Sequence, residues 1–251
     1  MGTSSSHSGN KDKKGLLPND FHEQQPIPSV SWQTTKTGFS KYINGHGGSI
    51  GRTASNYVKA SGGTTGLMSS SRSGIRGAVN IGKMFSQIQQ YGYEKTFDDL
   101  GILYQGKSVR EICSELINYI VESSDSKEDA AAKAAASSAV NKMYKYVEKN
   151  GLDIQALNHV DNELMDEVMC TYVECYIWER ILNDLEFCLE KYSEDIEKTM
   201  RIENEMKRYV SNKVKVAFRS PGIRDKIFGT QSMEAGIEEL YRKCYSAMED
   251  M

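Results

Sequence analysis

KSVREICSELINYIVES, residues 107–123, decides the fold. Ser108 followed three residues later by Glu111 is a capping-box pair, in which each side chain satisfies a free backbone N–H at a helix start. Behind it Val109, Ile112, Cys113, Leu116, Ile117, Ile120 and Val121 recur every three or four positions and share one face. A helix with one apolar stripe needs partners, and the chain downstream supplies them. SKEDAAAKAAASSAVNKMYKYVEKNG (126–151) is alanine-rich, packs Val140, Met143, Tyr144 and Val147 late, and puts Gly151 where a C-terminal cap belongs; its small residues predict close helix approach.

Two longer amphipathic stretches follow. One runs from about Asp161 to Tyr192 through Leu164, Val168, Tyr172, Tyr176, Ile177, Ile181 and Leu185, and the other from about Glu194 to Phe218 through Met206, Val210 and Val214. Ser220-Pro221-Gly222 breaks the second, and a last helix from about Ser232 carries Ile237, Leu240, Tyr241, Cys244, Tyr245 and Met248. Strand alternation is nowhere sustained. The fold class read from this pattern is all-α, a helical bundle with a long, Gly/Ser-rich, basic and largely irregular N-terminal arm. Its expected divisions are a flexible tail over 1–35, a basic partner-binding arm over 36–76 and a helical domain over 77–251. The arm is too glycine-rich to offset its own ordering entropy, so residues 36–90 are expected to dock on a partner rather than on the chain's own helices.

Charge is unevenly spread. Residues 1–85 carry +7 and residues 86–251 carry −10, and no acidic residue stands between Glu23 and Glu94. Cationic residues with interleaved aromatics make Phe39, Lys41, Tyr42, Arg52, Lys59, Arg72, Arg76 and Lys83 the candidate surface for an acidic protein, for nucleic acid, or for the acidic helices of the same chain. There is no apolar run of membrane-spanning length and no secretory leader, so the expected setting is the cytoplasm, without a membrane partner. The five cysteines form no CxxC pair and lack histidines at metal-ligand spacing, so they read as reduced core residues and no metal is expected.

No catalytic constellation emerges. GHGGSIG (45–51) lacks the Gly-Lys-Ser/Thr of a P-loop and the strand–turn–helix context of a dinucleotide fingerprint, and the four histidines are scattered. The chain therefore reads as a non-enzymatic subunit with no cofactor. Chemistry concentrates instead in MGTSSSHSGNKDKKG (1–15). Removal of Met1 ahead of a small residue would expose the Gly2 α-amine, whose pKa of about 7.7–8.0 makes it a far better neutral nucleophile than lysine at about 10.4. Thr3, Ser4, Ser5 and Ser6 are narrow enough to thread a partner's active-site entrance. The same residues also satisfy the N-myristoylation pattern M-G-x-x-x-[ST] and resemble an expression-vector leader without its histidine run.

MGTSSS, GFSKYI (38–43), GRTASNYV (51–58), RSGIRGAVN (72–80) and the helix beginning SVREI, followed by an acidic helical half, together resemble the QatB family of the bacterial Qat anti-phage defence system. Residues 7–35 depart from the Gly/Pro-rich continuation associated with that family. The resemblance implies a direct QueC-like partner, QatC, in an operon with an ATPase and a TatD-like nuclease. QueC enzymes use ATP to activate the carboxylate of 7-carboxy-7-deazaguanine, and the resemblance implies that such a base is joined to the Gly2 amine. An adaptor carrying phage DNA or RNA to the partner nuclease is the other function the basic arm allows.

Overall fold

The computed structural model describes residues 28–122, 125–190, 195–229 and 233–250. The described residues form α1 (Trp32–Ile43), α2 (Ile50–Ala60), α3 (Gly63–Ser69), α4 (Arg72–Tyr91), α5 (Tyr93–Leu100), α6 (Val109–Ile120), α7 (Lys127–Lys149), a short 3-10 turn (Ile154–His159), α8 (Asn162–Glu190), α9 (Ile196–Phe218), α10 (Ile223–Phe228) and α11 (Met233–Glu249). No strand occurs among them, and the all-α reading stands. The Ser108–Glu111 capping box is present, and Ser126 forms a second one with Asp129 at the start of α7.

Helix α8 is the axis on which α7, α9, α4 and α1 pack, and α11 closes over α2, α3, α4, α9 and α10. The α7–α8 contact is the most extensive, because Ala131, Ala132, Ala135, Ala136 and Ala139 are all buried and let the two backbones approach. Helix α4 does the same with glycine. A Cβ on Gly74 would stand 2.4 Å from the Tyr176 ring, and one on Gly77 would stand 2.0 Å from the Tyr172 hydroxyl oxygen. Two tyrosines of α8 thus occupy the space that side chains on α4 would otherwise fill. Leu116 and Ile177 are 2% and 1% exposed. Truncating either to alanine is expected to cost about 2–5 kcal/mol in urea unfolding, the range for deleting core aliphatic side chains.

The reading of residues 36–76 as an arm awaiting a partner is corrected here. They form α1 to α3 and the start of α4, and Phe39, Ala54, Tyr57, Val58 and Leu67 are buried in the common core. Burying each large apolar side chain contributes about 1.5–3 kcal/mol, which offsets the ordering cost of the glycines. Helices α1 to α4 dock on α8, α9 and α11, so the expectation that 36–90 is reserved for a partner fails, and the division at 76/77 falls inside α4. Residues 1–27, most of the expected tail, lie outside the described residues. Residues far apart in sequence are also tied directly. Ser55 donates to the Glu249 carbonyl at 2.7 Å, and Thr64 donates to the Glu249 carboxylate from its backbone N at 2.9 Å and its hydroxyl at 2.7 Å.

Candidate functional site

The GHGG segment is a turn between two capped helices. The amide of His46 donates to the Lys41 carbonyl at 2.9 Å, and Gly45, Gly47 and Gly48 all take positive φ, a region that glycine enters without strain. Ser31 caps α1 by accepting from the Thr34 amide at 3.1 Å, and Ser49 caps α2 by accepting from the Arg52 amide at 3.2 Å. The Thr35 hydroxyl donates to the Asn56 carbonyl at 3.1 Å and locks α1 against α2. Between the two helices and this turn lies a cleft of about 850 Å³. Its walls carry Lys41, His46 and Arg52 among serine, threonine, glutamine, asparagine and glycine, with no carboxylate among the described residues.

A second groove, of about 600 Å³, runs between α4 and α11. Arg72, Arg76 and Lys83 line its α4 side over Met68, Ile75 and Val79, and α11 contributes Arg242 together with Glu234 and Glu238. The basic residues singled out in the sequence therefore do not converge. Lys41 and Arg52 share the first cleft, while Arg72, Arg76 and Lys83 share the second groove. Lys59 sits half-buried in the last turn of α2, where a cation suits the helix dipole. Phe39 is fully buried and is a core residue, which corrects its assignment as a surface contact. Tyr42 turns inward and donates to the Glu205 carboxylate on α9; burial and that bond push its phenol up to about 12. Gly2, Thr3, Ser4, Ser5 and Ser6 lie outside the described residues.

A polar cluster that the sequence did not announce joins α3, α4 and α8. The Arg180 guanidinium donates to the Ser70 carbonyl at 2.9 Å, the Ser71 hydroxyl at 2.8 Å and the Ser70 hydroxyl at 3.0 Å. Ser71 also meets the Tyr245 hydroxyl at 2.9 Å, while Tyr57 donates to Asp184 at 3.1 Å and Tyr176 to Glu128 at 3.0 Å. Burial raises the Tyr57, Tyr176 and Tyr245 phenols, which stay neutral around the cation. A charge-assisted set of this kind fixes the α3–α4 junction on α8 and is architectural. Arg180 reads in sequence as one charge on a mixed helix, and only Ser70 and Ser71, distant in sequence, reveal its role.

A family model described as Qat anti-phage system associated protein QatB matches residues 62–248, from the start of α3 into α11. The chain belongs to the QatB family. This QatB-family chain therefore has a role in Qat anti-phage defence, alongside the system's other proteins. The matched span contains the α4 groove and the Arg180 cluster, whereas the α1–α2 cleft and residues 1–61 precede it. No curated protein and no solved structure matches the chain. Among the described residues of this QatB-family chain, no three His, Cys, Asp or Glu side chains gather as a metal site, and no helix is long and apolar enough to cross a membrane. Its five cysteines are free, and burial raises the Cys113, Cys170 and Cys175 thiols, with Cys170 at about 12, so these three are poor nucleophiles at neutral pH.

Proposed function

We propose that this QatB-family chain is a non-enzymatic subunit that hands its N-terminal amine to a QueC-like partner for conjugation to a 7-deazaguanine. The N-terminal sequence carries the reading: a glycine directly behind Met1, followed by Thr3, Ser4, Ser5 and Ser6. With Met1 removed, the Gly2 α-amine has about a third of its population unprotonated near pH 7.5, given a pKa of about 7.7–8.0. The partner activates the carboxylate of the base with ATP: a carboxylate oxygen attacks the α-phosphorus, pyrophosphate leaves, and an acyl adenylate forms. The Gly2 nitrogen attacks the acyl carbon, the C–N bond forms as the C–O bond to AMP breaks, AMP leaves, and the ammonium proton passes to water or a base. The chain contributes the nucleophile and a folded body, and the partner contributes the chemistry.

The intact mass of the chain co-expressed with the other Qat proteins tests this reading. The expected result is loss of Met1 and a gain equal to one deazaguanine acyl group. An unmodified terminus under conditions that support defence would sink it. The α4 groove, with Arg72, Arg76, Lys83 and Arg242 on one surface, favours a second reading, an adaptor for nucleic acid. A salt-sensitive gel shift lost in the Arg76→Glu/Lys83→Glu variant would move the assignment there.

A further inference from the structure

We infer that the α1–α2 cleft is a docking site for an acidic segment of the partner that receives the N-terminal amine. The inference rests on the reading above. Three observations converge on the cleft. The first is its place in the chain. Ser31, the N-cap of α1, lies on the cleft wall with Gln33 and Thr34, so the cleft is built on the described helix that stands nearest to Gly2 in sequence. A partner that grips this rim and receives Gly2 to Ser6 holds both ends of one segment. The second contact then becomes intramolecular and gains affinity from its raised effective concentration.

The second observation is charge. Among the described residues, Lys41, His46 and Arg52 line the cleft without a carboxylate in its walls, and neither Lys41 nor Arg52 forms an ion pair. The α4 groove differs, because Glu234 and Glu238 stand among its cations and weaken its field. The third is chemistry. Between the cations the walls offer the Ser31, Thr34, Thr37 and Ser49 hydroxyls and the Gln33 and Asn56 amides, and no large apolar side chain among the described residues. Such a surface does not reward an apolar anchor. It suits a polar loop bearing aspartate or glutamate, whose carboxylates meet the two fixed cations while its backbone is satisfied by hydroxyls and amides. Two fixed charges and one histidine are few for a nucleic-acid backbone, where tight binding draws on about 6–10 phosphate contacts.

The test measures the affinity of the purified full-length chain for the QueC-like partner at two salt concentrations. Wild type is compared with Lys41→Glu/Arg52→Glu, with the neutral pair Lys41→Gln/Arg52→Gln, and with Lys133→Glu/Lys145→Glu on the exposed face of α7 as the net-charge control. The neutral pair is included because a glutamate at position 41 opposes the dipole in the last turn of α1. The cleft reversal is expected to weaken binding at least about tenfold, chiefly through slower association, with a flatter salt dependence. The neutral pair should fall between that variant and wild type, and the control within about twofold of wild type. Wild-type affinity in both cleft variants overturns the proposal. So does equal weakening by the control, which would be a net-charge effect, and so does the absence of a wild-type complex. The intact mass of the wild-type chain from the same complex keeps the two readings apart. Weakened cleft variants with an unmodified Gly2 leave the docking site standing and remove conjugation, whereas a modified Gly2 with unaffected cleft variants removes only the docking site.

Discussion

A valine at Gly77 is expected to destabilise the protein by about 3 kcal/mol, the upper end for overpacking a filled core. Helix propensity argues the other way, since a mid-helix glycine costs about 0.5–1 kcal/mol relative to alanine. Geometry decides. A Cβ at position 77 would stand 2.0 Å from the Tyr172 hydroxyl oxygen and 2.7 Å from the adjacent ring carbon, and Tyr172 is fully buried with no solvent to swing into. Gly74 meets Tyr176 in the same way one turn earlier, so α4 is held close to α8 at two successive turns. Urea unfolding of Gly77→Val and Gly77→Ala checks this. The alanine variant should be destabilising in the native sequence and neutral or stabilising in a Tyr172→Ala background, a coupling of the kind contacting residues show. Equal effects in the two backgrounds would mean that the glycine answers to something other than Tyr172.

Gly2→Leu is expected to abolish anti-phage defence while leaving the melting temperature unchanged. A bulky second residue retains Met1, so the amine is carried on a longer, bulkier end that no longer matches the narrow Thr3 to Ser6 run behind it. Position 2 is far upstream of the Ser31 cap in sequence, and the first residues of a domain generally add little to folding free energy. Gly2→Ala separates amine from residue identity, because alanine still permits methionine removal and leaves a primary amine of similar basicity. Defence should largely persist in Gly2→Ala and vanish in Gly2→Leu. Full activity in the leucine variant would take the terminus out of the mechanism and leave the α4 groove as the better lead.

What could be read in advance follows from where the controlling contacts lie. Ser108 and Glu111 are three residues apart, so their capping box is legible from a short window, as are the alanines of α7 and the break at Ser220-Pro221-Gly222. The glycines of α2 to α4 mislead for the opposite reason. In a local window Gly74 and Gly77 read as flexibility, and only Tyr172 and Tyr176, about a hundred residues on, show that they make room for a helix. The site was legible as charge and not as geometry. The acid-free run from Glu23 to Glu94 placed Lys41 and Arg52 in view, but their meeting across a cleft, and the burial of Phe39 in the core, depend on how α1 and α2 pack.

The bonds from Ser55 and Thr64 to Glu249 also set an order of events at the ribosome. Ser55 and Glu249 are 194 positions apart, so at about 5–20 residues per second the cover for α2 and α3 emerges about 10–40 s after those helices do. For that interval the apolar faces around Tyr57 and Leu67 are without α11, and contacts this distant in sequence close late in folding. The amino terminus leaves the exit tunnel before any of this. On the proposed conjugation, methionine excision and access to the Gly2 amine would come first in time and the closed body last, which would make the nascent chain, and not only the finished protein, a form that an amine-modifying partner meets.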